Sequence, residues 1–204
     1  MKEVLFARSS GVILSAGSSA RMGTHKALLK FDSEKTFIQK ITETYLMAGI
    51  EQVIVVVNSG LFKLISECSL ALSGKVKLVV NDKPELGRFY SLQTGVKLIP
   101  AGNYCFFQNI DNPFTSEELL KEMILHKAKA GVIIPIFQKE SGHPVLISPL
   151  VIQRIFEGID YKIRIDTFLN QFTEKKIEVP DPKILLNINS PDDYLNAGLI
   201  DLMT

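Results

Sequence analysis

Apolar and polar positions along this chain follow two periods, and the two alternate from one end to the other. The runs at 12–14, 53–57, 76–80, 104–108 and 132–137 are short, continuous and rich in β-branched or aromatic residues. That is the pattern of strands covered on both faces in a parallel sheet. Between them, residues 36–48 carry Phe37, Ile38, Ile41, Tyr45, Leu46 and Ala48 at mostly helical spacing and stop at Gly49. Further helices are predicted over 61–72 and 91–98, and over a segment that opens on a Thr115–Glu118 capping box and runs to Gly131. Later in the chain the pattern predicts strands at 144–147, 176–179 and 185–188, with two short helical patterns between 149 and 172. Ser190-Pro191-Asp192-Asp193 supplies an N-cap, a proline at the first helical position and acids in the first turn of a last helix. Strands alternating with helices predict a three-layer α/β fold with a mostly parallel sheet.

Composition narrows the class. The chain has 204 residues, which suits one domain, 1–204, with a sizeable core. The formal net charge is +1 with its cations spread along the chain, so no nucleic-acid footprint is expected. No apolar stretch approaches membrane-spanning length, and the apolar run before Arg8 is too short for a secretory signal, so no membrane association and a cytoplasmic location are expected. Cys68 and Cys105 lie in apolar surroundings without metal-ligand spacing, which favours buried free thiols over a disulfide.

The candidate chemistry concentrates in 11–31, GVILSAGSSARMGTHKALLKF. A buried strand runs into small residues from Ser15 to Ala20, and Arg21 and Lys26 close the loop. Such a turn brings backbone N–H groups against phosphate, while Gly17 and Gly23 leave room for a ligand to approach. Arg21 presents a planar fork and Lys26 a point charge to phosphate oxygens. It is not the nucleoside-triphosphate P-loop, because Thr24 and His25 separate Gly23 from Lys26 and Ala27 follows. Nor is it the dinucleotide G-x-G-x-x-G, because the two glycines are too far apart.

Ligands of parallel α/β sheets gather at the carboxyl ends of the strands. The phosphate loop, the 81–90 loop and Asp111 each follow a predicted strand, so they can converge on one cleft. Asp111 reads either as a turn residue before Pro113 or as a ligand for Mg²⁺, which takes one or two carboxylates plus substrate phosphates. The neighbouring phosphate loop favours the metal.

Leu14, Ala16, Gly17, Ser19, Arg21, Met22, Gly23, Lys26, Leu28 and Leu29 fall on the signature of nucleotidyltransferases that form a diphosphate linkage. Gly87 to Leu92 with Gly95, then Gly142-His143-Pro144-Val145, then 187–193 (NINSPDD) follow in the order found in molybdopterin cytidylyltransferases. The chain therefore resembles the molybdenum cofactor nucleotidyltransferase family over nearly its whole length. The resemblance implies a Rossmann-like sandwich of the nucleotide-diphospho-sugar transferase fold. It implies transfer of CMP from CTP to a phosphate monoester, molybdopterin foremost, with release of pyrophosphate and with a molybdoenzyme as a receiver of the product.

On that reading Arg21 and Lys26 hold the triphosphate and Asp111 holds Mg²⁺, with Asn189 as a second, uncharged metal ligand where relatives carry an acid. Ala16, Gly17, Ser19, Gly23, Gly87 and Ser91 bind the nucleotide, Ser91 serving equally as a helix N-cap. His143 shapes the acceptor pocket or packs there; a phosphate monoester is already anionic and needs no general base. Lys162 and Arg164 are further cations that could meet the acceptor. Guanylyltransferases of the family show Gly-Gly where this chain has Ala16-Gly17, which favours CTP, whereas Asn189 resembles the GTP users. A cytidylyl- or uridylyltransferase acting on a small alcohol or sugar phosphate, or a nucleotide- or molybdopterin-binding factor without turnover, are the rival readings.

Overall fold

The structure, a computed structural model, describes residues 5–17, 22–157 and 163–199. In chain order it forms β1 (Ser9–Ser15), α1 (Phe37–Ala48), β2 (Gln52–Val57), α2 (Ser59–Glu67), β3 (Val76–Val80), α3 (Gly87–Val96) and β4 (Tyr104–Asn109). There follow α4 (Glu117–Ile124), β5 (Val132–Phe137), β6 (Glu140–Ser141), β7 (Val145–Ile147), α5 (Pro149–Phe156), α6 (Ile165–Leu169), β8 (Glu174–Glu178) and α7 (Pro191–Asn196). Strand order is β3-β2-β1-β4-β7-β5, with β6 and β8 also paired to β5. The first four strands are mutually parallel, β8 is parallel to β5, and β7 and β6 run against their neighbours.

The predicted three-layer α/β arrangement is what forms. Alternate residues of the central strands feed two separate cores: Ile13, Val53, Val55 and Phe106 face α1 and α4, while Val12, Ile54, Val56 and Phe107 face α3 and α5. A strand buried on both faces must be apolar at every position, which is why β2 reads as an unbroken run.

Several expectations give way. The N-cap of α4 is Ser116, which accepts from the Leu119 N–H; the Thr115 hydroxyl instead donates to the fully buried Gln108 Oε1 at 2.6 Å. That helix ends at Ile124, well short of Gly131, and α2 ends at Glu67. Helix α3 starts at Gly87, so Ser91 lies in its second turn and is no N-cap. Residues 185–188 form no strand. Pro182–Leu185 is a 3-10 helix, and Ile184 and Ile188 are buried one by one, their backbone groups bonded to His143 and Asp111 rather than to a neighbouring strand. Cys105 is a buried free thiol, but Cys68 ends α2 on the surface and is exposed. Among the described residues no helix is long and apolar enough to cross a membrane.

The hairpin from β5 positions the site. Ile133 faces Leu146 and Ile136 faces Ser141, so three steps along β5 meet five on the other side. The surplus forms a bulge at 142–144, which contains the cis His143–Pro144 peptide and re-aims His143.

Candidate active site

Parallel strands β1 to β4 end on one edge of the sheet, where β1 delivers small residues and the other three each a polar one. After β1, Ala16 is buried and Gly17 is exposed. After β2, Asn58 caps α2 through Leu61 N–H and donates its amide to the carbonyls of Ala16 (3.2 Å) and Gly17 (3.3 Å). After β3, the buried Asn81 accepts from the Lys83 N–H and donates to Ser91 Oγ at 2.9 Å. After β4 comes Asp111, whose carbonyl accepts from the Ile188 N–H at 2.8 Å. Asn58 was not singled out from the sequence. Its signal was its place, directly after a buried strand and three residues before a helical Leu61.

Lys26 opens a 3-10 turn, Lys26–Leu28, and its ammonium group reaches across the sheet edge. It donates to Asn189 Oδ1 at 2.7 Å and pairs with Asp111 Oδ2 at 3.4 Å. The other carboxylate oxygen, Asp111 Oδ1, is buried without a hydrogen-bond partner. Asn189 is itself held, because Asp193 Oδ2 accepts from the N–H groups of both Asn189 and Ser190 at 2.9 Å. Those hydrogen bonds, led by the one from Asn189, keep the Asp193 carboxyl below the usual range. Lys26, Asp111 and Asn189 thus converge. Ser19 and Arg21 lie outside the described residues. Gly23 takes a positive φ of 67°.

No three His, Cys, Asp or Glu side chains among the described residues form a cluster able to hold a metal alone. The unpartnered Asp111 oxygen does fit Mg²⁺, which can draw its remaining ligands from phosphate and water. Asn189 Oδ1 is engaged by Lys26 and is open to a cation only if the ammonium group moves.

Beside this edge lies a cleft of about 800 Å³ walled by Gly87, Arg88, His143, Arg164, Glu174 and Lys176, among others. Burial first, and the Arg88 guanidinium second, push His143 down from its ordinary 6.5 to about 4, so the ring is neutral at pH 7. Arg164 is spent on Asp166, with its Nη2 at 2.7 Å, whereas among the described residues Arg88 and Lys176 form no ion pair. Lys162 is outside the described residues. Gly87 therefore stands in the cleft wall, and Ser91 faces Asn81 behind it. Arg88 and Lys176 escaped the sequence reading because nothing local distinguishes a cleft cation from a solvated one.

This arrangement can hold a polyphosphate at the sheet edge and a second anionic molecule in the cleft. The chain is 24% identical over 190 residues to the molybdenum cofactor cytidylyltransferase of Escherichia coli, covering 91% of this chain and 93% of that one. It is 33% identical over 147 residues to a probable molybdenum cofactor guanylyltransferase of Natranaerobius thermophilus, covering 66% and 62%. Among solved structures, a nucleotidyl transferase from Methanothermobacter thermautotroptrophicus shares the fold, with a TM-score of 0.76 at 23% identity over 94% of this chain and 96% of that one. Residues 11–171, from the phosphate loop through the cleft wall, match the model of the MobA-like NTP transferase domain, and the chain belongs to that family.

Proposed function

We propose that the protein is a Mg²⁺-dependent nucleotidyltransferase that moves CMP from CTP to a phosphate monoester, molybdopterin foremost. The observation that carries this reading is the meeting of the Lys26 ammonium group with the half-paired Asp111 carboxylate, beside a cleft whose Arg88 and Lys176 form no ion pair among the described residues. An acceptor phosphate oxygen attacks the α-phosphorus in line, a new P–O bond forms, and the bond to the bridging oxygen breaks to release pyrophosphate. Both reactants are anions, so catalysis rests on holding them together and neutralising charge. Lys26 meets the triphosphate, and Arg21 is assigned the same task. The backbone of Ala16, Gly17 and Gly23, held in part by Asn58, bounds the nucleotide with Ser19, while Gly87 stands in the cleft wall and Ser91 supports it from behind through Asn81. Arg88 and Lys176 draw the acceptor into the cleft. His143, neutral at pH 7, shapes the acceptor pocket without taking a proton. Mg²⁺ on Asp111 would neutralise phosphate charge as pyrophosphate departs.

CTP is favoured because the cytidylyltransferase of Escherichia coli aligns over nearly the whole of both chains, and because Ala16 stands where guanylyltransferases carry glycine. GTP is the second reading, favoured by the likeness to a guanylyltransferase and by Asn189. The test is pyrophosphate release with Mg²⁺ and molybdopterin, CTP and GTP in parallel. Release with CTP alone supports the whole reading, and release with GTP alone keeps the reaction but changes the base. Nucleotide binding without release from any phosphate acceptor overturns the enzyme in favour of a binding protein.

A further inference from the structure

Asn112 stands between Asp111 and Pro113, is wholly buried, and takes no part in the roles assigned above. Its carbonyl accepts from Gln108 Nε2 at 2.7 Å. Gln108 is also wholly buried, and its Oε1 accepts from the hydroxyls of Tyr45 (2.8 Å) and Thr115 (2.6 Å), so the backbone here hangs from a buried hydrogen-bond network. From that anchor the Asn112 amide donates to the Ile184 carbonyl at 2.9 Å. The same carbonyl accepts the His143 N–H at 3.1 Å, and four residues on, Ile188 N–H bonds to Asp111. One side chain therefore joins the turn that holds Asp111, the bulge that holds His143 and the segment that ends in Asn189.

The other end of the amide makes no bond: Asn112 Oδ1 is buried without a partner. An unpaired buried acceptor carries a desolvation cost with nothing in return, so an apolar side chain of the same shape would serve the fold at least as well. We infer that Asn112 is a positioning residue, which sets the spacing of Asn189, and through it Lys26, from Asp111 and ties His143 to the same frame. Its effect on turnover rests on the reading of this site as a nucleotidyltransferase centre.

Asn112→Leu tests this, with Asn112→Ala as the smaller variant should leucine fail to fit. The expected result is a melting temperature unchanged or raised, with kcat lowered about 10–100-fold. Amide hydrogen exchange at His143 and Ile188 should speed up by about tenfold while β1 and β2 keep their protection. The loss in kcat should largely vanish in an Asn189→Ala background, because the two residues act in series. Unchanged exchange at both amides overturns the proposal, as does a loss of kcat that simply adds to that of Asn189→Ala, or a uniform rise in exchange with a lowered melting temperature. The exchange measurement needs no turnover. Faster local exchange in a protein that releases no pyrophosphate would uphold the tie and overturn the enzyme.

Discussion

The two sides of this molecule build their polar edges by different means. On one side, β3, β2, β1 and β4 are parallel, and the small residues Ala16-Gly17 and the polar Asn58, Asn81 and Asp111 follow directly on the strands or within two residues of them. On the cleft side the sheet is mixed, one strand is interrupted by a bulge, and the wall comes from α3, β8 and the hairpin. The first side is organised by strand ends, which local hydrophobicity specifies. The second is organised by where segments distant in sequence meet. Their electrostatics differ in the same way: Lys26 is paired to Asp111 at the sheet edge, whereas Arg88 and Lys176 form no ion pair in the cleft among the described residues.

Substitutions on each side sharpen that contrast. The largest effect is expected from Lys26→Ala, which should lower kcat by about 10²–10³, the cost of losing one donor to developing charge. Stability should move by only about 1–2 kcal/mol, because the 3.4 Å pair with Asp111 is loose. Steady-state kinetics beside thermal melts decide it, and equal losses in both would return Lys26 to a structural role.

His143 should govern a pH effect on the cleft side. Its folded value near 4 lies below the ordinary 6.5, so the unfolded chain binds more protons between those values. Stability should therefore fall as pH drops from about 6.5 to about 4, by up to about 3 kcal/mol, less to the extent that the ring reaches solvent at the cleft wall. Urea unfolding across that window should lose this slope in His143→Gln; a persisting slope would assign it to other groups.

Glycine substitutions separate the two sides more finely. A Cβ on Gly142 would lie 2.6–2.8 Å from three side-chain carbons of the buried Ile184. Gly142→Ala should cost about 1–3 kcal/mol in urea unfolding, because a packed core gives little. Among the described residues Gly17 has nothing within 4 Å of the same construction. Gly17→Ala should change stability by less than about 0.5 kcal/mol, yet weaken nucleotide binding measured by calorimetry, since on the proposed reading the space it would fill takes phosphate. Unaltered binding would remove the loop floor from the nucleotide site.

Reading the chain without its structure works best where period and burial coincide. Strands β1 to β5 and α1 stand where the pattern puts them, give or take a few residues at the ends, and α7 starts where its capping residues put it. The pattern misleads where buried positions do not imply a ladder. Ile184 and Ile188 are anchored separately, so residues 185–188 imitate a strand without pairing. Thr115 satisfies the spacing of a capping box, yet Gln108 in the core claims its hydroxyl and Ser116 takes the cap. Propensity proposes such partners, and tertiary competition disposes of them.

What the sequence determined by itself was the layering of the fold and the place of Asp111 just after a strand, because each depends on a local pattern of apolar and polar residues. Tertiary structure alone decided that Lys26 meets Asn189, 163 positions away. It also decided that Asn112 bonds to Ile184 and that Arg88 and Lys176 share a cleft. A polar side chain carries no sign of its partner. It is assigned only when burial removes water and leaves one group within reach.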